Sequence, residues 1–433
     1  MLIRSLTLAV IVLGLVASVA LTTLRSTPSR AVQSQHTSAC TTSWSKPYAP
    51  MVSNGYLHVS APQIVAVHGG VALLGDNAVA LAPTDAGFIP IAGWPRGDDM
   101  LAGFLFTAHG DVTPIPGPPG VRAFIEVKAA AANGLAHVFW GGSADTSASQ
   151  SQHVNSLWYA RYDGRHWTRP ELILDDTTLL WAQQLTSIAV TGRRAHVTAL
   201  IDGDSLSPDV LHVVRDATGK GRLARLGFQA MYTDLQIDRA GSLWLTTIAG
   251  DRTNRAKVLV RRSTDDGHTW TEPIVVYRSG RGTAYDPRLA ITRNGSMHVA
   301  WIIAQPTNDA GFSTRSGDAD RIGLAASRDG GLRWDRLPDI AEVPDLRDLW
   351  VVPDGAASLQ LTFHTDDAGG QVVALGLHGD EPGIRSRFGP TWFAASLAAA
   401  SPDSLHLAWH EWRSSGTERI PTLTLSRRRA CLE

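Results

Sequence analysis

The sequence predicts an all-β chain, a β-propeller of four-stranded blades closed into a ring near its termini, and three observations predict it. One eight-residue turn is written twice, as Ser263-Thr264-Asp265-Asp266-Gly267-His268-Thr269-Trp270 and as Ser327-Arg328-Asp329-Gly330-Gly331-Leu332-Arg333-Trp334. A strand of the His-Val-x-Trp kind recurs, clearly at 136–140, 297–301 and 405–409, and more weakly at 195–199, 243–246, 359–363 and 71–74. From His137 to His406 the repeat is about 54 residues long, within the range of propeller-type units. Finally, 40 glycines and 23 prolines punctuate alternating apolar strands, with no convincing helix between them. Seven such units fill the chain, which favours seven blades over six.

The elements follow in order. Arg4 precedes an uncharged apolar stretch over 5–24, and Ser18-Val19-Ala20 offers a small-x-small cleavage site. The stretch is also long enough to span a bilayer, so a cleaved signal peptide and an uncleaved anchor both stand for residues 1–24. Arg25 and Arg30, on its far side, run against the positive-inside preference. Either reading makes the chain secreted or extracytoplasmic, held to a membrane only through that segment. Residues 25–45, rich in Ser and Thr, read as a linker, and 46–433 as the propeller. Cys40 and Cys431 are the two cysteines and bracket almost the whole exported chain. In an oxidising compartment one disulfide joining the ends is the simple reading, and two unrelated buried thiols the other.

With 39 Lys and Arg against 40 Asp and Glu, there is no basic excess to suggest nucleic acid. The balance argues for no strongly charged partner. The histidines of the repeated strands recur once per unit, so a ring spreads them apart, whereas a metal needs clustered ligands. No metal or cofactor is expected. Asp202-Gly203-Asp204 and Asp318-Ala319-Asp320 offer oxygens suited to Ca²⁺ but complete no calcium loop.

Each repeated turn reads as a tight hairpin tip. The Asp carboxylate accepts bonds from its own turn, Gly267 and Gly331 supply positive φ, the Ser hydroxyl ties a second group, and the Trp forms an apolar plug. A degenerate third copy keeps Gly164 and Trp167 and is followed by Thr168-Arg169-Pro170, as Trp270 is by Thr271-Glu272-Pro273. The defining residues are Ser263, Asp265, Gly267, Thr269 and Trp270, then Ser327, Asp329, Gly331 and Trp334. They resemble the Asp box, or BNR repeat, of the sialidase superfamily. The resemblance implies a propeller whose boxes lie in the turns between strands 3 and 4, remote from any site. Functional residues are then expected on the opposite face, in the connections 141–156, 202–209, 249–256, 304–320, 364–370 and 410–419 and in the blade-to-blade loops.

A sialidase of that family needs an Arg cluster for a substrate carboxylate, a Tyr nucleophile with a Glu partner and an Asp acid/base. Position makes Tyr285 the candidate nucleophile, just before a blade's first strand in Thr283-Ala284-Tyr285-Asp286-Pro287-Arg288, with Glu411 its partner and Asp98 or Asp99 the acid. The candidate ligand-binding arginines are Arg96, Arg252, Arg255, Arg288, Arg315 and Arg413. The family's R-I-P motif is absent from the first unit, which reads Gln63-Ile64-Val65-Ala66. Arg419-Ile420-Pro421 stands in the last unit, where the role does not transfer. Two expectations follow: an exported propeller that binds a glycan or an extracytoplasmic protein on its loop face, or a retaining exo-sialidase or related glycoside hydrolase. Oligomeric state is left open.

Overall fold

The computed structural model describes residues 43–429, apart from 53–54, 68–69, 85–86, 91–100, 108, 110, 119–122, 133, 144–155, 176–184, 192–193, 205–206, 217, 251–255, 280–282, 305–319, 344–345, 356–357, 366–369, 379–380, 390, 402–403 and 416–417. These residues form seven antiparallel sheets and no helix.

Blade one runs Gly55–Val67, Gly70–Thr84, Leu101–Thr107 and Val112–Pro116, with Met51–Val52 and Gly87–Pro90 as short additions. Blade two is Ala123–Ala132, Leu135–Ser143, Ser156–Tyr162 and Glu171–Asp175. Blade three is Leu185–Thr191, Arg194–Asp204, Ser207–Asp216 and Gly221–Gln229. Blade four is Tyr232–Ile237, Leu243–Ala249, Lys257–Ser263 and Ile274–Arg278. Blade five is Thr283–Ile291, Met297–Ala304, Asp320–Ser327 and Asp335–Val343. Blade six is Arg347–Pro353, Ser358–Thr365, Gln371–His378 and Glu381–Phe388. Blade seven has Thr391–Ser401, Ser404–Ser415 and Glu418–Arg429. Its outer strand is lent by the N-terminal segment: the Ser45 amide donates to Arg427 O at 2.7 Å, and Tyr48 exchanges bonds with Leu425 at 3.0 and 2.9 Å.

Each first strand lies beside the first strands of both neighbouring blades, and Gly55–Val67 beside Thr391–Ser401 completes the ring. Every recurrent His-Val-x-Trp run is a second strand. This strand is inside its sheet and covered on both faces by neighbouring blades, so it reads as a nearly unbroken apolar run; all of Met297–Ala304 is buried. Trp140, Trp301 and Trp409 are fully buried, each in the cluster shared with the preceding blade. Each of the seven interfaces has such a cluster, including one that joins Leu57, Leu73 and Phe104 of blade one to Ala408, Leu423 and Leu425 of blade seven. Stacked sheets seal their inner faces this way. The repeated eight-residue turns join strands 3 and 4 of blades four and five, and the degenerate copy does so in blade two.

Candidate functional site

The two ends of the ring differ in how their polar groups are used. At the turn end, Ser263 Oγ donates to Asp265 Oδ1 at 2.8 Å and accepts the Gly267 amide at 2.8 Å. Asp265 also accepts the Thr269 hydroxyl at 2.6 Å and its amide at 2.9 Å. Blade five repeats the pattern: Ser327 Oγ bonds Asp329 at 2.9 Å and the Gly331 amide at 2.8 Å, and Arg333 N donates to Asp329 at 2.9 Å. Bonds from Thr269 hold the Asp265 carboxyl far below the usual carboxylate range, and the Arg333 amide lowers Asp329. In the degenerate copy Asp163 accepts the amides of His166 and Arg165 at 2.6 and 2.8 Å. These carboxylates serve their own turns.

The turns also grip the preceding blade. Gly267 has φ 78° and Gly331 φ 85°. A Cβ on Gly267 would meet the His212 ring of blade three at 2.2 Å, and one on Gly331 the Trp244 ring of blade four at 2.3 Å. Trp167, Trp270 and Trp334 each pack into the interface with the preceding blade. Asp266, at φ 63°, reaches back to Arg194 at 2.5 Å and to His196 Nε2 at 3.4 Å. His196 in turn stacks on His212, with ring centroids 5.4 Å apart.

At the other end lies the segment from Tyr285 to Arg288. It stands inside the first strand of blade five, not before it, at a bulge between Tyr285 and Arg288 where Asp286 takes φ 49°. Asp tolerates this left-handed region better than most residues. The Tyr285 hydroxyl donates to Leu346 O at 2.8 Å, and Leu346 N donates to Asp320 at 3.2 Å. Leu349 N donates to Asp286 at 2.8 Å, and Arg288 Nε donates to Leu349 O at 2.7 Å. Four side chains of blade five thus hold both peptide groups of two fully buried leucines in blade six. Arg288 is further paired with Asp286 at 2.7 Å and lies over the Trp350 ring at 5.0 Å.

A first strand pairs with its own sheet on one side only, so its outward amides need partners from elsewhere. The preceding blade supplies them. Ser187 Oγ accepts Leu235 N at 2.9 Å, Asp234 accepts Leu289 N at 2.7 Å, and across the ring closure Ser396 Oγ accepts Ile64 N at 3.3 Å. Ser187 also donates to Asp234 at 2.8 Å. Burial pushes the Asp234 carboxyl up, opposed by the nearby Arg288 charge.

Of the candidate catalytic set, Tyr285 has its hydroxyl in this clamp and its ring against Tyr232 at 6.4 Å. Burial, then the charges of Asp320 and Asp286, push its phenol far above the ordinary value, which disfavours the phenolate a nucleophile requires. Glu411, at the far end of blade seven's second strand, accepts the Trp409 indole N–H at 3.3 Å. Arg96, Asp98, Asp99, Arg252, Arg255, Arg315, Cys40 and Cys431 lie outside the described residues, as does the Arg413 side chain. The structure therefore brings Tyr285 and Arg288 together with Asp286 and Asp320 in a joint between blades. Sequence reasoning missed the carboxylates that cap the neighbouring strand; the signal was an Asp on successive first strands, at Asp234, Asp286 and Asp348. Among the described residues no group of three His, Cys, Asp or Glu side chains is placed to hold a metal ion.

No protein-family model matches the chain, and no curated protein does. Among solved structures it is similar to the polysaccharide lyase Uly1, at 9% identity and TM-score 0.53 over 85% of this chain and 89% of that one. It is also similar to a Trypanosoma rangeli sialidase in complex with 2,3-difluorosialic acid, at 13% identity and TM-score 0.48, over 78% of this chain and 58% of that one. A protein of unknown function from Dyadobacter fermentans gives 12% identity and TM-score 0.46 over 90% and 99%. The likeness to the lyase shows the fold alone, a β-propeller.

Proposed function

We propose that the chain is an exported propeller of the Asp-box, sialidase-like kind that binds a glycan or an extracytoplasmic protein on the face opposite its 3–4 turns. The asymmetry between the two ends carries this reading. At the 3–4 turns of blades four and five the Ser and Asp groups bond within the turn or to the preceding blade. The two long breaks between paired strands, Ser143 to Ser156 and Ala304 to Asp320, are both connections between strands 2 and 3 and leave the ring at the other end. Their sequence carries Asp145, His153, Asp309, Arg315 and Asp318. Long connections on a rigid scaffold are where binding residues concentrate. The test is a glycan-array and pull-down comparison of the intact protein with a variant whose 305–319 segment is replaced by Gly and Ser. Ligand lost in the variant, with its melting temperature kept, is the expected outcome. Retained binding sinks the reading.

The retaining glycoside hydrolase reading stands second, favoured by the adjacency of Tyr285 and Arg288. It requires Tyr285 to attack. Against it, Tyr285→Phe is expected to remove the bond to Leu346 O, costing about 1 kcal/mol, with no sialoside turnover in either protein. Turnover of a fluorogenic sialoside that disappears in Tyr285→Phe would reverse the ranking.

A further inference from the structure

At the outer rim, strand 4 of blade three faces strand 3 and the 3–4 turn of blade four across a groove of about 350 Å³, near the lower bound of ligand pockets. Its lining includes Arg222, Arg225, Phe228, Arg261, His268 and Glu272. Three arginines and one glutamate thus line the groove in a chain whose formal net charge is −1.

The chain builds this concentration locally. Gly221–Gln229 pairs regularly with strand 3 up to Arg225, then shifts register between Arg225 and Gln229. Gly227 takes φ 71° at the shift, with open space where a Cβ would lie. Bulges of this type re-aim side chains. Beyond the shift, Phe228 lies under Arg261, whose guanidinium carbon is 4.0 Å from the ring centroid. Stacking on Phe228 and the Glu272 charge are the interactions Arg261 makes among the described residues; its N–H groups donate to no described acceptor. Arg222 uses one N–H group on Asp266 O at 3.0 Å, and the exposed Arg225 stands 3.6 Å from Asp209.

A planar guanidinium fixed by an aromatic ring, with its N–H edge free, is arranged to take a carboxylate or sulfate through two parallel hydrogen bonds. Arg222 and Arg225 are three residues apart on a regularly paired stretch, so their side chains leave opposite faces of the strand, and Arg222 is the one turned toward blade four, where it bonds Asp266 O. We propose that this groove binds an acidic polysaccharide, with Arg261 pairing one carboxylate or sulfate and Arg222 adding a second positive charge on the same side. The groove lies at the end that carries the Gly267 and Trp270 turn, so it is a site separate from the 2–3 loop face.

The experiment is calorimetric titration of the intact protein with hexagalacturonate, a neutral xylohexaose, inorganic sulfate and a six-nucleotide oligothymidylate. The expected result is binding of hexagalacturonate that weakens with salt, none of xylohexaose, and much weaker binding of the other two anions. Arg261→Gln is expected to weaken hexagalacturonate binding at least about tenfold. Arg225→Gln, exposed and on the opposite face of the strand, is the control and is expected to leave both affinity and melting temperature unchanged. No binding of hexagalacturonate, equal binding of the oligothymidylate, or affinity unchanged in Arg261→Gln would overturn the proposal.

Discussion

Gly267 satisfies two demands at one position: a left-handed backbone, and space for the His212 ring of the blade before it. Gly331 does the same against Trp244. Replacing Gly267 by Ala meets both penalties, about 1–3 kcal/mol for the backbone and about 1–3 kcal/mol for overpacking. Gly295, also at positive φ but with open space at its Cβ position, carries the backbone penalty alone. Urea unfolding of Gly267→Ala and Gly295→Ala is therefore expected to show the larger loss at Gly267. Equal losses would mean that the His212 contact is soft. The comparison separates what a turn requires of glycine from what a blade interface requires of it.

At the level of the strand, the buried histidines make stability depend on pH. Second strands carry His137 and His196, and the third strand of blade three carries His212. Burial holds His137 and His196 down at about 4 and His212 at about 3. The unfolded chain takes up these protons near the ordinary value of about 6.5. Between pH 6.5 and about 4 the unfolded state thus binds more protons than the folded one. Stability is then complete above pH 6.5 and falls with pH through that window, by up to about 1.4 kcal/mol per pH unit for each histidine. Denaturant midpoints at pH 7.5, 6 and 5 are expected to fall in that order; a flat profile would refute the buried neutral state. The same strands show what was legible in the sequence. The His-Val-x-Trp runs announced the second strands because a strand covered on both faces must be apolar along its length. The paired turns announced the 3–4 connections because their hydrogen bonds are local. The clamp of Tyr285, Asp286, Arg288 and Asp320 on Leu346 and Leu349 was not legible. It joins residues 26 to 63 positions apart through main-chain groups that carry no residue signature, and a Tyr beside an Arg reads the same in a joint as in a site.

For the whole molecule the decisive step is closure, because a ring of blades has one interface that chain connectivity does not supply. Here blade seven takes its outer strand from Ser45–Tyr48, and Ser396 and Ile64 bond across the inner strands. The buried ion pair of Arg428 with Asp354, supported by Gln360 at 2.6 Å, ties blade seven to blade six, and Trp44 of the N-terminal segment lies 5.4 Å from the Arg428 guanidinium. Ser45, five residues after Cys40, stands opposite Arg427, four residues before Cys431, in an antiparallel pair. That register is the reason to expect Cys40 and Cys431 to form a disulfide in an oxidising compartment. It would close a loop of nearly the whole domain, and the chain-entropy model gives such a loop about 5 kcal/mol as an upper bound. Non-reducing peptide mapping of the oxidatively folded protein should recover the two cysteines in one linked peptide pair, and Cys40→Ser should lower the melting temperature. Free thiols at both positions after oxidative folding would leave closure to the borrowed strand and the Arg428–Asp354 pair. In that case Asp354→Ala, which strands a buried guanidinium at a cost of about 3–5 kcal/mol, should open the ring at blade seven before the other blades unfold.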